Sequence, residues 1–373
     1  MKIAIVMPLA EQRGGAEQAL WHLMQQGQNL GVDWLVVFFE DGSMVRQIQS
    51  LGVETHIVPA GRLREASHFI ATVTRIASIV KQSRANVLFS WMAKAHLYSS
   101  LAAKLSGIPA LWYQQGVPSN SDWLDKIATM LPACGTLACS KTAAQAQASL
   151  RPSRPIRVVY PGVELDRFEP DKLPSSGELR RQLGLPENGY LICIVGRLQR
   201  WKGIHVLVEA MPKVLQSYSN AYCIVVGGKH ELEPDYPAYI ESRIVALGLQ
   251  DKVKMVGLQR NVPEWMQAMD VIVHASDFEP FGMVIIEAMA LGKPVVAGSA
   301  GGPTEIITPD LNGILTPFGD ADALANAIVR YLDEPNFAQK SGMAARQRAL
   351  NFSTHLYAKN FVEAVRDLLP KVS

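Results

Sequence analysis

Residues 279–287 read Glu-Pro-Phe-Gly-Met-Val-Ile-Ile-Glu, and they indicate the fold of the chain as well as its chemistry. The glycine in this stretch permits a tight turn, and the apolar run at residues 283–291 is typical of a short helix that a further glycine ends. Glu279 is therefore predicted in the loop before the helix, and Glu287 just over one turn inside it. Free N–H groups at a helix start favour anions, and a carboxylate beside a phosphate site usually binds hydroxyls. The alternative interpretation is that neither residue binds a ligand, so that Glu279 is an ordinary loop residue and Glu287 lies on a solvated helix face.

Short apolar strands alternate with amphipathic helices on both sides of this stretch. Near the N-terminus, residues 3–8 and 34–39 are predicted strands separated by a helix at residues 16–30. The same pattern restarts with a predicted strand at 190–195 and a helix at 203–216. Such alternation predicts parallel sheets covered by helices on both faces. The predicted fold class is therefore α/β, with two Rossmann-like β/α/β lobes that face each other across an interdomain cleft.

Residues 161–177 interrupt this alternation, because they are rich in proline, glycine and charged residues, as interdomain linkers often are. We therefore predict a first domain over residues 1–165 and a second domain over residues 166–353. The final helix is predicted at residues 354–369. It is a candidate to pack back on the first domain, which would give residues 354–373 to that domain.

Composition restricts the class of protein. The 373 residues suggest two domains, and 48% hydrophobic with 19% charged residues is typical of a well-packed α/β enzyme. A net charge of +2 argues against a nucleic-acid-binding protein. Residues 1–165 nevertheless carry 15 Lys and Arg against 10 Asp and Glu. This excess would attract an anionic membrane or a phosphate-bearing substrate, although it is also compatible with a solvated basic face.

The predicted location is the cytoplasm, and the prediction includes the option that the protein binds peripherally to the inner face of the membrane. The sequence enters a strand by Ile3 without a signal peptide, and no apolar run reaches the ~18 residues of a membrane span. Cys193 and Cys223 fall in predicted strands, whereas Cys134 and Cys139 lack the second ligand pair of a zinc site. We therefore predict a reducing compartment and no metal site.

Three glycine-rich or basic segments follow predicted strands, at the carboxyl ends where α/β folds bind ligands. Gly14 and Gly15 would let the backbone approach an anion, although they do not form the G-x-G-x-x-G pattern of NAD-binding proteins. Arg197 and Lys202 follow a later strand and could neutralise a diphosphate. Residues 301–302, both glycine, would offer further N–H donors. Each segment by itself is also compatible with an ordinary loop.

Together these motifs resemble those of the family-4 glycosyltransferases, the glycosyl transferases of group 1, which have the GT-B fold. The match follows family order over nearly the whole chain and is strongest in the second lobe. The matching segments are Gly14-Gly15-Ala16-Glu17, Tyr160-Pro161-Gly162-Val163-Glu164 with Phe168, Gly196-Arg197-Leu198 with Lys202-Gly203, Ser276-Asp277-Phe278-Glu279-Pro280-Phe281-Gly282 with Glu287, and Gly301-Gly302-Pro303-Thr304-Glu305. The resemblance implies a retaining transfer of a sugar from a nucleotide-diphosphate sugar, the donor substrate.

The resemblance also implies roles for residues of the second lobe and the first. Arg197 and Lys202 would hold the diphosphate of the donor, and Gly14 and Gly15 would approach it from the first lobe. Glu287 would bind the hydroxyls of the ribose.

The donor sugar would lie against Glu279 near its reacting end. Backbone N–H groups of Gly282 and Met283, beside Phe281, would assist. Arg260 would lie where the base of the nucleotide rests.

The same residues suggest how such a reaction proceeds. Retaining hydrolases use a carboxylate nucleophile on the opposite face of the sugar, but Glu287 is assigned to the ribose and no other acid in these motifs is an obvious nucleophile. The leaving phosphate would instead guide the acceptor hydroxyl to the same face and take its proton. Arg197 and Lys202 would supply the positive charge, so that neither a metal nor another cofactor is needed.

One position departs from the family pattern. Many relatives carry a histidine after the strand at 110–113, whereas Gln115 stands there in this chain, and glutamine cannot be a general base. His96, one loop earlier, is an alternative acceptor-side residue or a structural histidine. His205 and His274 lie in apolar runs and are predicted to be packing residues.

The predicted function is that of a retaining hexosyltransferase in the synthesis of a cell-surface polysaccharide or glycolipid. Its partners would be a UDP or GDP sugar and a sugar or lipid-linked acceptor. Two alternatives are a nucleotide-sugar epimerase of related fold and a non-catalytic nucleotide-sugar binder. Further acceptor-side candidates are Arg62, Arg64, Trp91, Trp112 and Trp123, although core packing explains the tryptophans equally well.

Overall fold

The structure, a computed structural model, describes residues 1–12, 14–61, 65–119 and 122–370. The acceptor-side candidates Arg62 and Arg64 lie outside the described residues. Contacts divide the chain into two compact units. Unit 1 consists of Met1–Gly162 together with Thr354–Ser373, and unit 2 consists of Val163–Ser353.

Unit 1 is built on a parallel sheet. The strands are β1 (Lys2–Met7), β2 (Asp33–Phe38), β3 (Glu54–Ile57), β4 (Val87–Trp91), β5 (Ala110–Gln114), β6 (Gly135–Ala138) and β7 (Ile156–Val158). Across the described part of the unit, their order in the sheet is β3-β2-β1-β4-β5-β6-β7. The helices are α1 (Gly15–Gly27), α2 (Ser43–Ser50), α3 (Ala66–Gln82), α4 (Met92–Ser106), α5 (Trp123–Met130), α6 (Lys141–Leu150) and the C-terminal helix, Thr354–Leu368.

The core of unit 1 lies on both faces of this sheet. Residues 3–7 of the interior strand β1 are all 0% exposed, as expected for a parallel strand covered by helices on either side. On one face, the C-terminal helix inserts Phe361 among aromatic rings of the sheet. The Phe361 centroid lies 4.8 Å from that of Phe89 and 5.9 Å from those of Trp91 and Tyr113. The C-terminal helix therefore completes the core of unit 1.

Two of the three tryptophan candidates belong to this core. Trp91 and Trp112 are 0% exposed, and the Nε1–H of Trp91 donates to the carbonyl of Ala16 at 2.9 Å. Trp123, at the start of α5, is 60% exposed. Core packing therefore accounts for Trp91 and Trp112 but not for Trp123.

Unit 2 repeats the architecture. Its strands are β8 (Tyr190–Val195), β9 (Ala221–Val226), β10 (Val253–Gly257), β11 (Val271–His274), β12 (Val295–Gly298) and β13 (Ile314–Thr316). These strands are parallel, in the order β10-β9-β8-β11-β12-β13. The helices are α7 (Ser176–Gln182), α8 (Ile204–Ser217), α9 (Tyr236–Ala246), α10 (Val262–Gln267), α11 (Met283–Ala290), α12 (Pro303–Ile306), α13 (Ala321–Asp333) and α14 (Pro335–Ala349), which makes the helix at Thr354–Leu368 α15. The predicted α/β fold class, with two Rossmann-like domains, is confirmed.

The strand order of unit 2 reverses direction between β8 and β11. The chain runs outward from β8 through β9 to β10, returns to β11 beside β8, and then runs outward on the other side. The loops after two neighbouring strands therefore leave in opposite directions, which opens a crevice at their carboxyl ends. Residues 196–203 follow β8 and residues 275–282 follow β11, so both predicted motifs lie at this crevice.

A buried arginine ties the first helix of unit 2 to the sheet. Arg180 in α7 is 8% exposed, and its guanidinium donates to Asp270 Oδ2 at 2.7 Å and to the carbonyl of Ala268 at 2.9 Å. The same carboxylate oxygen accepts the N–H of Leu191 in β8 at 2.7 Å. Asp270 therefore holds α7, β8 and the start of β11 together.

Replacing Asp270 by alanine is expected to lower the free energy of unfolding by ~3 kcal/mol, because Arg180 would remain buried without its partner. Urea denaturation followed by circular dichroism measures the loss. Asp251→Ala, which removes an exposed carboxylate of the same unit, is the matched control and should change the transition little. Equal effects of the two substitutions would contradict the role given to the buried pair.

Candidate functional site

The segment between β11 and α11 is held by a glycine turn. Gly282 has φ +115°, a conformation that side-chain-bearing residues rarely adopt, and a Cβ there would lie 2.8 Å from Ile285 Cδ1. The helix starts at Met283, as the sequence predicts, and its first N–H groups have no acceptor within the helix. This turn fixes Glu279 in the loop before the helix.

Glu279 is the centre of a buried polar cluster. Its Oε2 atom accepts from Lys202 Nζ at 2.6 Å and contacts His274 Nε2 at 3.0 Å. Ser276 Oγ lies 3.4 Å from the same oxygen and 3.2 Å from His274 Nε2. The side chains of Lys202, His274 and Glu279 are 16%, 4% and 12% exposed. The loops after β8 and β11 therefore meet through a buried ion pair.

The charge of Glu279 follows from this cluster. Burial raises the pKa of the carboxyl, but the charge of Lys202 and the hydrogen bond from His274 lower it by more, so that the pKa is about 2. Glu279 is thus a carboxylate at neutral pH and cannot donate a proton there. It can accept hydrogen bonds from the hydroxyls of a ligand.

Backbone packing fixes the position of Lys202. The residue ends a 3₁₀ turn at Arg200–Lys202, and Gly203 follows with φ +68°. A Cβ on Gly203 would lie 2.0 Å from the carbonyl oxygen of Ala275, so only glycine allows this approach of the two loops. The N–H of Asp277 also donates to the carbonyl of Trp201 at 2.8 Å. The lysine is therefore carried by a loop locked to the one that carries Glu279.

The turn at Gly301–Gly302 packs against the backbone of Glu279. Gly301 has φ +77°, and a Cβ there would lie 2.2 Å from the Glu279 carbonyl oxygen. The N–H of Gly302 donates to that oxygen at 2.8 Å. The sequence suggested that both glycines offer N–H donors to an anion. The prediction is wrong for Gly302, because its N–H is used in holding Glu279.

The other predicted site residues of unit 2 make contacts of their own, outside the cluster around Glu279. Glu287, in the second turn of α11, is 6% exposed, so it does not lie on a solvated helix face. Arg197 is half-buried, and its Nη1 lies 3.3 Å from His230 Nε2. Phe281 is 3% exposed, with its ring centroid 5.7 Å from that of Phe352.

Arg260 lies in the loop after β10 and is exposed. Its carbonyl accepts from Arg167 Nη2 at 3.0 Å. Arg260 and Arg167 line a cavity of about 440 Å³, together with Asp166, Lys172, Leu173, Asn261, Pro263 and Glu264. The side chain predicted to meet the base therefore borders an open, charged cavity.

The candidates of unit 1 lie in different environments. Gly14 and Gly15 precede and begin α1. His96 is 0% exposed, stacks on Trp112 at 5.1 Å, and bonds Ser90 through Nδ1 at 2.9 Å. Burial, assisted by the charge of Arg154, lowers the pKa of His96 to about 3. His96 is therefore a neutral, packed histidine.

Gln115 is half-buried, just after β5. Its Nε2 atom has no hydrogen-bond partner among the described residues. An amide with a donor left over is suited to bind a hydroxyl or carbonyl oxygen of a ligand.

Two absences concern the described residues only. They contain no group of three or more His, Cys, Asp or Glu side chains arranged to hold a metal ion, and no helix long and apolar enough to cross a membrane. Asp320 and Asp322 have Asp-x-Asp spacing, but Asp320 caps α13 by accepting from Ala323 at 2.8 Å. Asp322 pairs with Lys213 at 2.9 Å.

Known structures share this fold over the whole chain. The crystal structure of HepE from Anabaena in complex with UDP superposes with a TM-score of 0.87 and 26% identity, over 98% of this chain and 100% of that one. HepE was also solved with UDP-glucose. A glycosyltransferase from Rickettsia africae ESF-5 superposes with a TM-score of 0.88 and 25% identity, over 100% of this chain and 99% of that one.

Family models match both units. The model described as "Glycosyl transferases group 1" matches residues 175–348, and the one described as "Glycosyltransferase Family 4" matches residues 13–167. The chain belongs to the group 1 glycosyltransferases. The predicted family and the GT-B fold of its members are thereby confirmed.

Curated relatives of this glycosyltransferase match over part of their length. The D-inositol 3-phosphate glycosyltransferase of Salinispora arenicola is 33% identical over 207 residues, which cover 53% of this chain and 46% of the relative. An uncharacterized glycosyltransferase of Methanocaldococcus jannaschii is 32% identical over 211 residues, which cover 55% and 53%. The chain thus spans about half the length of the curated relatives that it matches.

Two histidines of this glycosyltransferase were missed as site residues. His274 was predicted to be a packing residue, and it is buried at 4% exposed, but its Nε2 also contacts Glu279, which the prediction did not include. Its place at the end of a strand, five residues before Glu279, was a usable signal. His230 contacts Arg197 from 33 residues away, and the sequence offers no local signal for that contact.

The ionised state of Glu279 should make the stability of this glycosyltransferase depend on pH. The carboxyl has a pKa of about 2 in the folded protein against an ordinary value of 4.5, so the unfolded chain binds more protons between these values. The contribution is therefore fully present above pH 4.5 and is lost as pH falls toward 2. Glu279→Gln should flatten the fall in melting temperature over this window. Glu241→Gln, on the exposed surface of α9, is the control and should follow the wild type. Parallel curves for wild type and Glu279→Gln would contradict the assignment.

Proposed function

We propose that this glycosyltransferase moves a hexose from a nucleotide-diphosphate sugar to an acceptor hydroxyl with retention of the anomeric configuration. The proposal rests on the contact between Lys202 and Glu279 at the adjoining ends of β8 and β11. A cation suited to phosphate and a carboxylate suited to sugar hydroxyls lie 2.6 Å apart there. In a nucleotide sugar, phosphate and sugar are joined by the bond that the reaction breaks.

UDP-glucose is the donor to test first. It is the compound with which HepE was solved, at 26% identity to this chain. Lys202 would bind the diphosphate and Arg197, after the same strand, would bind it as well. Glu287, buried in the second turn of α11, would bind the ribose. The predicted contacts of Arg260 with the base stay predictions.

The remaining donor contacts follow from the backbone. The free N–H groups at the start of α11, at Gly282 and Met283, would face the anionic part of the donor. Phe281 would act by packing beneath this turn. Gly14 and Gly15, in unit 1, stay predicted contacts of the diphosphate.

In the proposed step, the bond between the anomeric carbon and the diphosphate oxygen breaks. The acceptor oxygen bonds to the same face of that carbon, and its proton passes to an oxygen of the leaving phosphate. Lys202 and Arg197 stabilise the negative charge that grows on the phosphate. Gln115 cannot accept the proton, and His96 is buried in its unit. This favours the phosphate as the proton acceptor.

Glu279 acts in this scheme by holding the sugar. Its ion pair with Lys202 and its hydrogen bond with His274 both involve Oε2 and fix the orientation of the carboxylate. His274 is then a positioning residue for the carboxylate. The acceptor that we propose is a sugar or a lipid-linked sugar of a cell-surface polysaccharide or glycolipid.

Substitutions should separate binding from chemistry. Glu287→Gln is expected to weaken UDP binding roughly tenfold, because a charged acceptor of ribose hydroxyl bonds is lost. Lys202→Met should lower kcat with UDP-glucose by about 10²-fold or more, since charge on the leaving phosphate is no longer stabilised. Isothermal titration calorimetry measures the first effect and initial rates the second. Lys340→Met, an exposed lysine of unit 2, is the control.

The products distinguish the proposal from its alternatives. NMR of the product gives the anomeric configuration, and an inverted product would overturn the retaining assignment. A donor that is isomerised without an acceptor would indicate an epimerase. A donor that binds but stays intact with every acceptor would indicate a non-catalytic binder. A trapped adduct of sugar on Glu279 would contradict the role of the leaving phosphate.

We also propose that unit 1 binds peripherally to the inner face of an anionic membrane and that helix α5 makes this contact. Trp123, Ile127 and Met130 are 60%, 45% and 79% exposed. Their spacing places them on one face of the helix, beside exposed Lys126. An apolar stripe bordered by lysine is typical of helices that lie in a membrane interface. The basic excess of residues 1–165 supports an anionic partner.

Vesicle binding tests this surface. Sedimentation with phosphatidylglycerol vesicles should bring down the wild type, while Ile127→Ser combined with Met130→Ser should weaken binding at least about tenfold. Ile70→Ser, which replaces an isoleucine that is 60% exposed on α3, is the matched control. Unchanged binding of the double variant, or equal binding to phosphatidylcholine, would overturn the proposal.

A further inference from the structure

A cavity of about 370 Å³ opens in unit 2 beside the ion-paired cluster. It is lined by Arg200, Trp201, His205, Tyr239, Asp277 and Phe318. None of the six is a partner of Glu279 in the cluster, and the roles proposed above use none of them. The cavity falls within the size range of small-molecule sites, which runs from about 300 Å³ upward.

Aromatic rings dominate the lining. The His205 ring meets those of Tyr239 and Phe318 edge to face, with centroids 6.2 Å and 6.4 Å apart. Tyr239 and Phe318 are 37% and 39% exposed, although they belong to an ordered cluster. Tyr239 and Phe318 thus contribute exposed aromatic surface to the lining. They are suited to a ligand that itself has an apolar face.

The imidazole of His205 has a fixed orientation. Its Nδ1 lies 2.8 Å from the hydroxyl of Tyr236, a residue stacked on Tyr239 with centroids 6.0 Å apart. Burial lowers the pKa of His205. A neutral imidazole held in this way adds a hydrogen-bonding group without adding charge.

The charges of the lining disfavour an anionic ligand. Arg200 stacks on Tyr236 and Tyr239 at 5.2 Å and 5.1 Å, and its charge is already paired with Asp235. Glu233 accepts the N–H of Arg200 at 2.8 Å. Asp277, which is exposed at the rim, adds a further negative charge. A phosphate would therefore find no unpaired cation in the six-residue lining.

We propose that this aromatic cavity is a second carbohydrate site, which binds a neutral saccharide unit of the acceptor or product. The C–H face of a pyranose would pack on Tyr239 and Phe318, and its hydroxyls would bond the carboxylate of Asp277. The choice of a saccharide rests on the proposed transferase function. The cavity has its own lining, because neither Lys202 nor Glu279 is among its six residues.

The backbone connects the cavity to the cluster. The ammonium of Lys202 lies 3.9 Å from the centroid of the Trp201 ring, and the carbonyl of Trp201 accepts the N–H of Asp277. A saccharide against Trp201 would therefore contact the residue that flanks Lys202. This placement fits a site for a saccharide unit that lies next to the donor position and not in it.

Saturation-transfer difference NMR of the full chain tests the site without any donor. Maltose, lactose and cellobiose are the probes, and sorbitol is the control because it has no ring face. At least one disaccharide should show transfer to its C–H protons, and Phe318→Ala should weaken its binding about tenfold. Asp277→Asn, a conservative change, should weaken it too. Leu350→Ala removes an apolar side chain of unit 2 that is 47% exposed outside the cavity, and it should leave binding unchanged.

The outcomes separate this inference from the proposed function. UDP affinity, measured on the same samples, should be unaltered in Phe318→Ala. Absence of transfer for all three disaccharides, or equal transfer in wild type and Phe318→Ala, would overturn the second site even if UDP binds. Loss of UDP binding in the wild type would instead count against the proposed function. Transfer to sorbitol equal to that of the disaccharides would show binding without ring recognition and would also overturn the inference.

Discussion

The buried ion pair of Lys202 and Glu279 is the interaction on which the site of unit 2 depends. Removing two charges from water is costly, and the pair is stable only where the geometry is good and further hydrogen bonds are made. His274 and Ser276 supply those bonds, and Gly203 and Gly301 let the supporting backbones approach closely enough. The need to support this ion pair therefore accounts for the positions of all four residues.

The topology of the sheet explains why the pair can form at all. Lys202 and Glu279 are 77 residues apart in the chain. They meet because β8 and β11 are neighbours whose connections diverge, which brings two loops to one edge. The same geometry leaves space between the loops, and a ligand that binds there encounters both charges. Architecture and chemistry are therefore linked at the point where the strand order reverses.

Much of the fold could be predicted from the sequence, because buried parallel strands are almost continuously apolar. The strand at Tyr190–Val195 and the helix start at Met283 are examples. Helices with a weaker apolar periodicity were not predicted. Helix α14 carries many polar and basic residues, and helix α2 is only eight residues long. Site residues could be predicted where the residues that define the local structure are close in sequence, as for Glu279 and the glycine turn that follows it. The contact of His274 with Glu279 depends on how a side chain turns at the end of a strand, which residue type does not determine.

The C-terminal helix has a consequence for how the molecule is made. Unit 2 is one continuous segment, whereas unit 1 is completed by Phe361, which the ribosome adds after all of unit 2. During synthesis the surface around Phe89 and Trp91 on the sheet of unit 1 therefore stays uncovered until Phe361 has been translated. Unit 2 has no such delay. The part translated second can therefore be the first to reach its final packing.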